Sequence, residues 1–121
     1  MNYTVGVVAK KVGLSSYTLR YYEKEGLLPN VARSDKGIRV YSDADITWIE
    51  LIKCLKSTGM SISEIRSIVE LSLEGDGTIP TRKEILLNHR AKLELQIEDL
   101  VKCINKIDNK LDWYDGKSTK C

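Results

Sequence analysis

The stretch Gly13-Leu-Ser-Ser-Tyr-Thr-Leu-Arg-Tyr-Tyr-Glu-Lys-Glu-Gly26 gathers hydroxyl, phenol and guanidinium groups at helical spacing. Leu19 and Tyr22 fall one turn apart and can face a core. Ser16, Tyr17, Thr18, Arg20 and Tyr21 are then left facing outward. Short hydroxyls lead, a guanidinium and phenols follow, and the helix N-terminus adds its partial positive charge. That combination suits a helix lying in a DNA major groove. It also fits an ordinary amphipathic helix of a small bundle. A second group, Arg33, Lys36 and Arg39, surrounds the turn signal Asp35-Lys36-Gly37. Basic side chains on a projecting hairpin suit phosphate contact, although routine charges on a solvated turn look the same.

The remaining chemistry is that of thiols. Cys54, Cys103 and Cys121 contain no Cys-x-x-Cys pair, which argues against a disulfide framework and a four-cysteine zinc site. Reduced thiols are expected, with no metal and no cofactor. Cys103 and Cys121 lie eighteen residues apart, with His89 well upstream. A two-thiolate soft-metal site is chemically open to them, but Cys103 beside Ile104 also reads as a small, partly buried hydrophobe. Cys54 points nearly opposite Ile52 on a helical wheel, in the company of Thr47, Glu50 and Thr58. It is an incidental surface residue, a packing residue or a thiol presented for reaction. Lys53 and Lys56 are close in sequence and could favour thiolate, although neither shares its face. With one histidine, no glycine-rich phosphate loop and no nucleophile motif, an enzyme is not expected.

Around these groups, 121 residues make one compact domain or a small domain plus an extended element. At 42% hydrophobic and 30% charged the chain should fold. Net charge is +2, and it is unevenly spread. Residues 1–60 hold nine Lys/Arg against six Asp/Glu, and residues 61–121 hold ten against eleven. Lys10 and Lys11 interrupt the N-terminal apolar residues, so no signal peptide is read. No apolar run is long enough for a bilayer. A cytoplasmic location with no membrane partner is expected.

The elements that position the chemistry are legible from their ends. Thr4 caps a first helix, with Tyr3 and Val8 as a hydrophobic staple, and Gly13 ends it. Ser15 and Gly26 bracket the second helix. Two short helices joined by a glycine-containing turn form a helix-turn-helix pattern. Pro29 blocks continuation, and Val31–Tyr41 reads as a small hairpin, or wing. Ser42 with Asp45 opens a third helix, whose buried stripe is Trp48, Ile49, Ile52 and Leu55. Ser61-x-x-Glu64 opens a fourth, which ends at Glu74-Gly-Asp-Gly77.

Thr78 or Thr81 then caps one long helix. Along it run Leu93, Ile97, Leu100, Ile104, Ile107, Leu111 and Tyr114, spaced 4, 3, 4, 3, 4, 3. This heptad seam calls for a partner helix, and a second copy of the chain is the nearest candidate. The fold class is thus mostly α: a winged helix-turn-helix DNA-binding domain at 1–75, a dimerising coiled-coil helix at 78–115 and a flexible tail at 116–121.

These parts resemble the MerR family of bacterial transcription regulators. The resemblance rests on Thr18-Leu-Arg-Tyr-Tyr-Glu23, Gly26-Leu-Leu-Pro29, Gly37-Ile-Arg-Val-Tyr41 and Leu55-x-x-x-Gly-x-Ser-x-x-Glu-Ile65. It continues into the long helix and covers nearly the whole chain. It implies an antiparallel coiled-coil homodimer on a two-fold promoter site in double-stranded DNA. It also implies activation by distorting an over-long spacer for RNA polymerase, a use of DNA deformability.

Carried over by residue, Ser16, Tyr17, Thr18 and Arg20 face the groove. Tyr21 and Arg39 hold the backbone, Arg33 lies on the wing, and Tyr41 joins them, while Tyr22 fits core or contact. The chain ends soon after the seam, so no separate effector domain is expected. Trp48-Ile-Glu-Leu-Ile-Lys-Cys-Leu-Lys56 is similar to the branch responding to aldehydes or other electrophiles, which implies sensing at Cys54. A metal- or small-molecule-responsive regulator of the same family is the alternative. A coiled-coil adaptor that binds protein is the third.

Overall fold

The computed structural model describes residues 2–29 and 31–119, the last two of them through their backbone only. Among the described residues nine elements occur, and all but β1 and a 3-10 turn follow the expected order. They are β1 (Asn2–Tyr3), α1 (Val5–Val12), α2 (Ser16–Lys24), β2 (Ala32–Arg33), β3 (Arg39–Ser42), α3 (Asp43–Ser57), α4 (Ile62–Leu73), a 3-10 turn (Asp76–Thr78) and α5 (Ile79–Thr119). The chain divides into two compact units, residues 1–83 and 84–121. The first therefore takes in the opening turn of α5.

Side-chain caps set the helix starts. Thr4 accepts from the Val7 amide and Ser15 from the Thr18 amide. Ser42 with Asp45, and Ser61 with Glu64, form complete capping boxes. Each such cap is worth about 1 kcal/mol. At the other end of α1, Gly13 has φ 70°, and its amide and that of Leu14 both bond to Ala9 O. A side chain there would be strained by the backbone, and its Cβ would lie 3.1 Å from Lys53 Nζ.

That lysine belongs to a set of three donors on α3 and α4 that meet carbonyls at the ends of α1 and α2 and in the segment just after α2. Lys53 Nζ donates to Val12 O at 2.7 Å. Arg66 Nε donates to Glu25 O at 2.7 Å, while its Nη2 reaches Glu25 Oε2 at 3.0 Å. Trp48 Nε1 donates to Leu27 O at 2.7 Å. Helix C-termini leave carbonyls without intrahelical partners and favour cations. Beneath these bonds lies the core: Val8, Leu19, Leu27, Ile49, Ile52 and Ile65 are fully enclosed. Each contributes roughly 1.5–3 kcal/mol through burial.

The wing is a short antiparallel pair, with Ala32 opposite Val40 and Arg33 opposite Arg39. Ser34 N to Ile38 O and Gly37 N to Ser34 O close its turn. A third strand escapes the sequence reading. β1 pairs with the other edge of β3, Tyr3 opposite Tyr41, giving the order β1-β3-β2. Tyr3 is thereby placed in the sheet, and its hydroxyl donates to Asp43 Oδ1 at 2.7 Å. That bond raises the phenol above its ordinary range and holds the Asp43 carboxyl below its own.

Three further expectations are corrected. Thr78 does not cap α5 as an acceptor of a helix amide; its hydroxyl donates to Leu71 O and Gly75 O and accepts from Arg82 Nε. Thr81 and Glu84 lie inside α5 and cannot form its opening box. α5 also runs through Gly116 to Thr119, past the expected start of the tail. One glycine costs a helix about 1 kcal/mol. Lys117, one turn beyond Trp113 and 5.3 Å from its ring, helps to carry the helix on. Residues 120 and 121 lie outside the described residues.

Tyr41 is the last correction. It was expected on the DNA side, but it is completely buried, and its hydroxyl finds no hydrogen-bond partner among the described residues. The strand is covered on that face, so the ring joins the core. Burial raises its phenol above the usual range, and the Glu23 carboxylate adds to the shift. An unsatisfied buried hydroxyl costs about 1–3 kcal/mol. Tyr41→Phe should therefore keep or raise the thermal midpoint, and a drop in a melting experiment would show that the hydroxyl is satisfied.

Candidate nucleic-acid interface

α2 sets its side chains out by helical geometry. Leu19 and Tyr22 turn into the core. On the other side Tyr17 is 76% exposed, and Arg20 and Tyr21 are also exposed. Tyr17, Arg20, Tyr21 and Lys24 line one open groove. Lys24 was absent from the residues singled out in the sequence; its signal was spacing, one turn after Arg20. Ser16 and Thr18 are half-buried. The Thr18 hydroxyl lies 2.8 Å from the Ser15 hydroxyl, so it is partly occupied by the helix start itself.

The wing stands beside the start of α2. An open concavity of about 410 Å³ is lined by Thr4, Val5, Ser16, Arg20, Gly37, Ile38 and Arg39. It brings together two helix starts and the wing turn. Backbone amides at helix starts and a guanidinium on each side are suited to an anionic backbone. Ile38 is 57% exposed at this turn, an apolar group with a place in a groove contact. Lys36 is exposed on the same turn.

Arg33 and Arg39 are held rather than free. Arg39 Nε and Arg33 Nη2 both meet the carboxylate of Glu23 near the end of α2. Arg33 Nη1 donates to Gly37 O at 3.1 Å. Glu23 had no role in the sequence reading, although it closes the Thr18–Glu23 motif. An acidic residue on an otherwise basic face was the available signal.

Elsewhere, Cys54 is exposed on α3 and Cys103 on α5. The neighbouring Lys53 does not turn toward the thiol, because its ammonium holds Val12 O. Cys121 lies outside the described residues. Among the described residues no three His, Cys, Asp or Glu side chains group as metal ligands, and no helix is long and apolar enough to cross a membrane.

Within α5, Ile97, Leu100, Ile104, Ile107, Leu111 and Tyr114 are each more than half exposed in the single chain. The seam read from the sequence is thus an apolar stripe open to solvent. Leu93, at its start, is half-buried.

Residues 3–71 match the family described as "MerR HTH family regulatory protein", and residues 46–109 match "MerR, DNA binding". A Haemophilus influenzae protein named as an uncharacterized HTH-type transcriptional regulator is 42% identical over 114 residues, covering 94% of this chain and 84% of that one. The HTH-type transcriptional regulator AdhR of Bacillus subtilis is 48% identical over 89 residues, which span 74% of this chain and 64% of AdhR.

Among solved structures, HiNmlR, described as a MerR family regulator lacking the sensor domain and bound to promoter DNA, is 42% identical with a TM-score of 0.86. That match covers 95% of this chain and 91% of HiNmlR. The wing, the paired short helices and the long helix thus recur together in proteins named as regulators, and the chain belongs to the MerR family of helix-turn-helix regulators.

Proposed function

We propose that the chain is a homodimeric, sequence-specific regulator that reads a two-fold promoter site with α2 and the wing. The observation that carries this is the shared concavity of Ser16, Arg20, Gly37, Ile38 and Arg39 beside the exposed row Tyr17, Arg20, Tyr21 and Lys24. Support also comes from HiNmlR, which resembles this chain over nearly its whole length and whose structure contains promoter DNA. Arg20 lies in both groups and reads a base edge or a critical phosphate. RNA polymerase is the further partner in this reading, brought to a promoter whose spacer the dimer distorts. A gel shift with the promoter upstream of the chain's own gene tests binding. Arg20→Ala should weaken specific binding by about 1–3 kcal/mol; unchanged affinity would remove Arg20 from the interface.

Dimerisation follows from the exposed stripe on α5. The coiled coil is antiparallel in this reading, with Leu93, Ile97, Leu100, Ile104, Ile107 and Leu111 as its seam. Leaving such a stripe in water forgoes a large apolar burial, and a second copy supplies a matching face. Replacing Ile97 and Ile104 together by Asp places unpaired charge in the seam, at a cost of roughly several kcal/mol. Sedimentation of that variant should show monomer where wild type shows dimer at micromolar concentration. A monomeric wild type would sink the reading.

The response is assigned to electrophiles at Cys54. Its thiol is exposed on α3 and follows Lys53, whose ammonium holds the end of α1. An adduct there removes the thiolate charge and adds bulk on the exposed side of α3. Cys54→Ser should keep operator binding and lose induction by a soft aldehyde in a reporter assay, while Cys103→Ser keeps both. Intact-mass analysis should place the adduct on Cys54. Full induction of the Cys54→Ser variant would reduce Cys54 to a surface residue.

A further inference from the structure

Glu23 sits in the last turn of α2 and is the meeting point of two elements. Its Oε2 accepts from Arg39 Nε on β3, and its Oε1 from Arg33 Nη2 on β2 at 3.4 Å. Arg33 also donates to Gly37 O at 3.1 Å. One carboxylate therefore holds both strands of the wing and, through Arg33, its turn. The Glu23 side chain is 21% exposed, against 31% for Arg39 and 48% for Arg33. The bond with Arg39 is thus the better shielded of the two.

A carboxylate beside a surface that meets phosphates lowers affinity, because it cancels the charge of the cations around it. The same carboxylate fixes where those guanidinium groups point. We propose that Glu23 is a positioning residue for DNA recognition, holding Arg39 and Arg33 in one orientation against α2 and thereby trading affinity for arbitrary sequence against discrimination. This rests on the DNA-binding reading above. Arg39, the residue held most closely, also lines the concavity with Ser16, Arg20 and Ile38. Its guanidinium is therefore placed in register with the groups on α2 that face the same ligand. Without the carboxylate both arginines recover rotamer freedom, and each can meet a phosphate of any sequence. A merely structural acid would do none of this; its loss would weaken every complex alike.

The test uses the full chain and two duplexes. One is enriched by the wild-type protein from a randomised pool, and the other has the same length and composition in scrambled order. Failure of the wild type to enrich any sequence removes the DNA-binding reading, and this role with it. Enrichment by wild type isolates the role of Glu23. In Glu23→Gln, the ratio of selected to scrambled affinity should then fall by about tenfold or more, mainly because scrambled binding tightens. The slope of log affinity against log salt on the scrambled duplex should steepen by about one to two units, since each added phosphate contact contributes about 0.9.

Glu23→Asp, which keeps the charge, should return the slope to that of wild type. In an Arg39→Gln background the slope change caused by Glu23→Gln should shrink by about one unit. A ratio unchanged within about twofold overturns the proposal. So does parallel weakening on both duplexes at an unchanged slope, which marks a residue that only supports the fold.

Discussion

Three side-chain donors ending on three backbone carbonyls hold the helix-turn-helix in place. α1 and α2 have eight and nine residues. Helices of that length are marginal on their own. Their last carbonyls need partners; Lys53 and Arg66 supply them, and Trp48 holds Leu27 O in the segment after α2. A cation at a helix C-terminus adds typically 0.3–1 kcal/mol through the dipole, and the hydrogen bonds add direction. Arg66 also passes over Gly26, where a Cβ would lie 3.7 Å from its Nε. α2 is therefore fixed from behind and from its C-terminal end. Its N-terminal, hydroxyl-bearing end and its outer face stay open. The residues that decide how α2 is aimed are consequently not the ones that a ligand would touch.

The legible part of this structure was the part governed by local rules. Ser42 with Asp45 and Ser61 with Glu64 are separated by the three positions a capping box requires, and each box forms. Gly13 and Gly26 stand where a left-handed residue ends a short helix, and both have positive φ. Spacing alone separated Leu19 and Tyr22 from Tyr17 and Arg20. What was hidden depends on residues distant in sequence. β1 is two residues long and has no pattern of its own; it exists because β3 offers an edge. Tyr41 looks from the sequence like a contact residue, and only the covering of β3 reveals its burial. Glu23 finds its partners in arginines ten and sixteen positions away.

α3 serves two surfaces at once. Ile49, Ile52 and Leu55 make its core face, and Lys53 and Trp48 leave its flanks to reach α1 and the segment after α2. Cys54 occupies the open side between Lys53 and the next buried residue. The helix end is tied in turn by Ser57 and Thr58 hydroxyls donating to Cys54 O, so the backbone under the thiol is well constrained. A group added at that sulfur has solvent on one side and a rigid helix on the other.

The wing shows what this economy means for association. Its strands are two and four residues long, and a free hairpin of that size would not persist in water. Here Arg33 crosses to the turn, Ser34 and Ile38 close it, and Glu23 fastens it from α2. The loop has already surrendered most of its conformational freedom when the chain folds. A partner that meets it need not bear that ordering cost a second time. Encounter with the wing is then a collision between surfaces already formed, and its heat-capacity change should reflect buried area alone, without the larger contribution of a segment folding on contact.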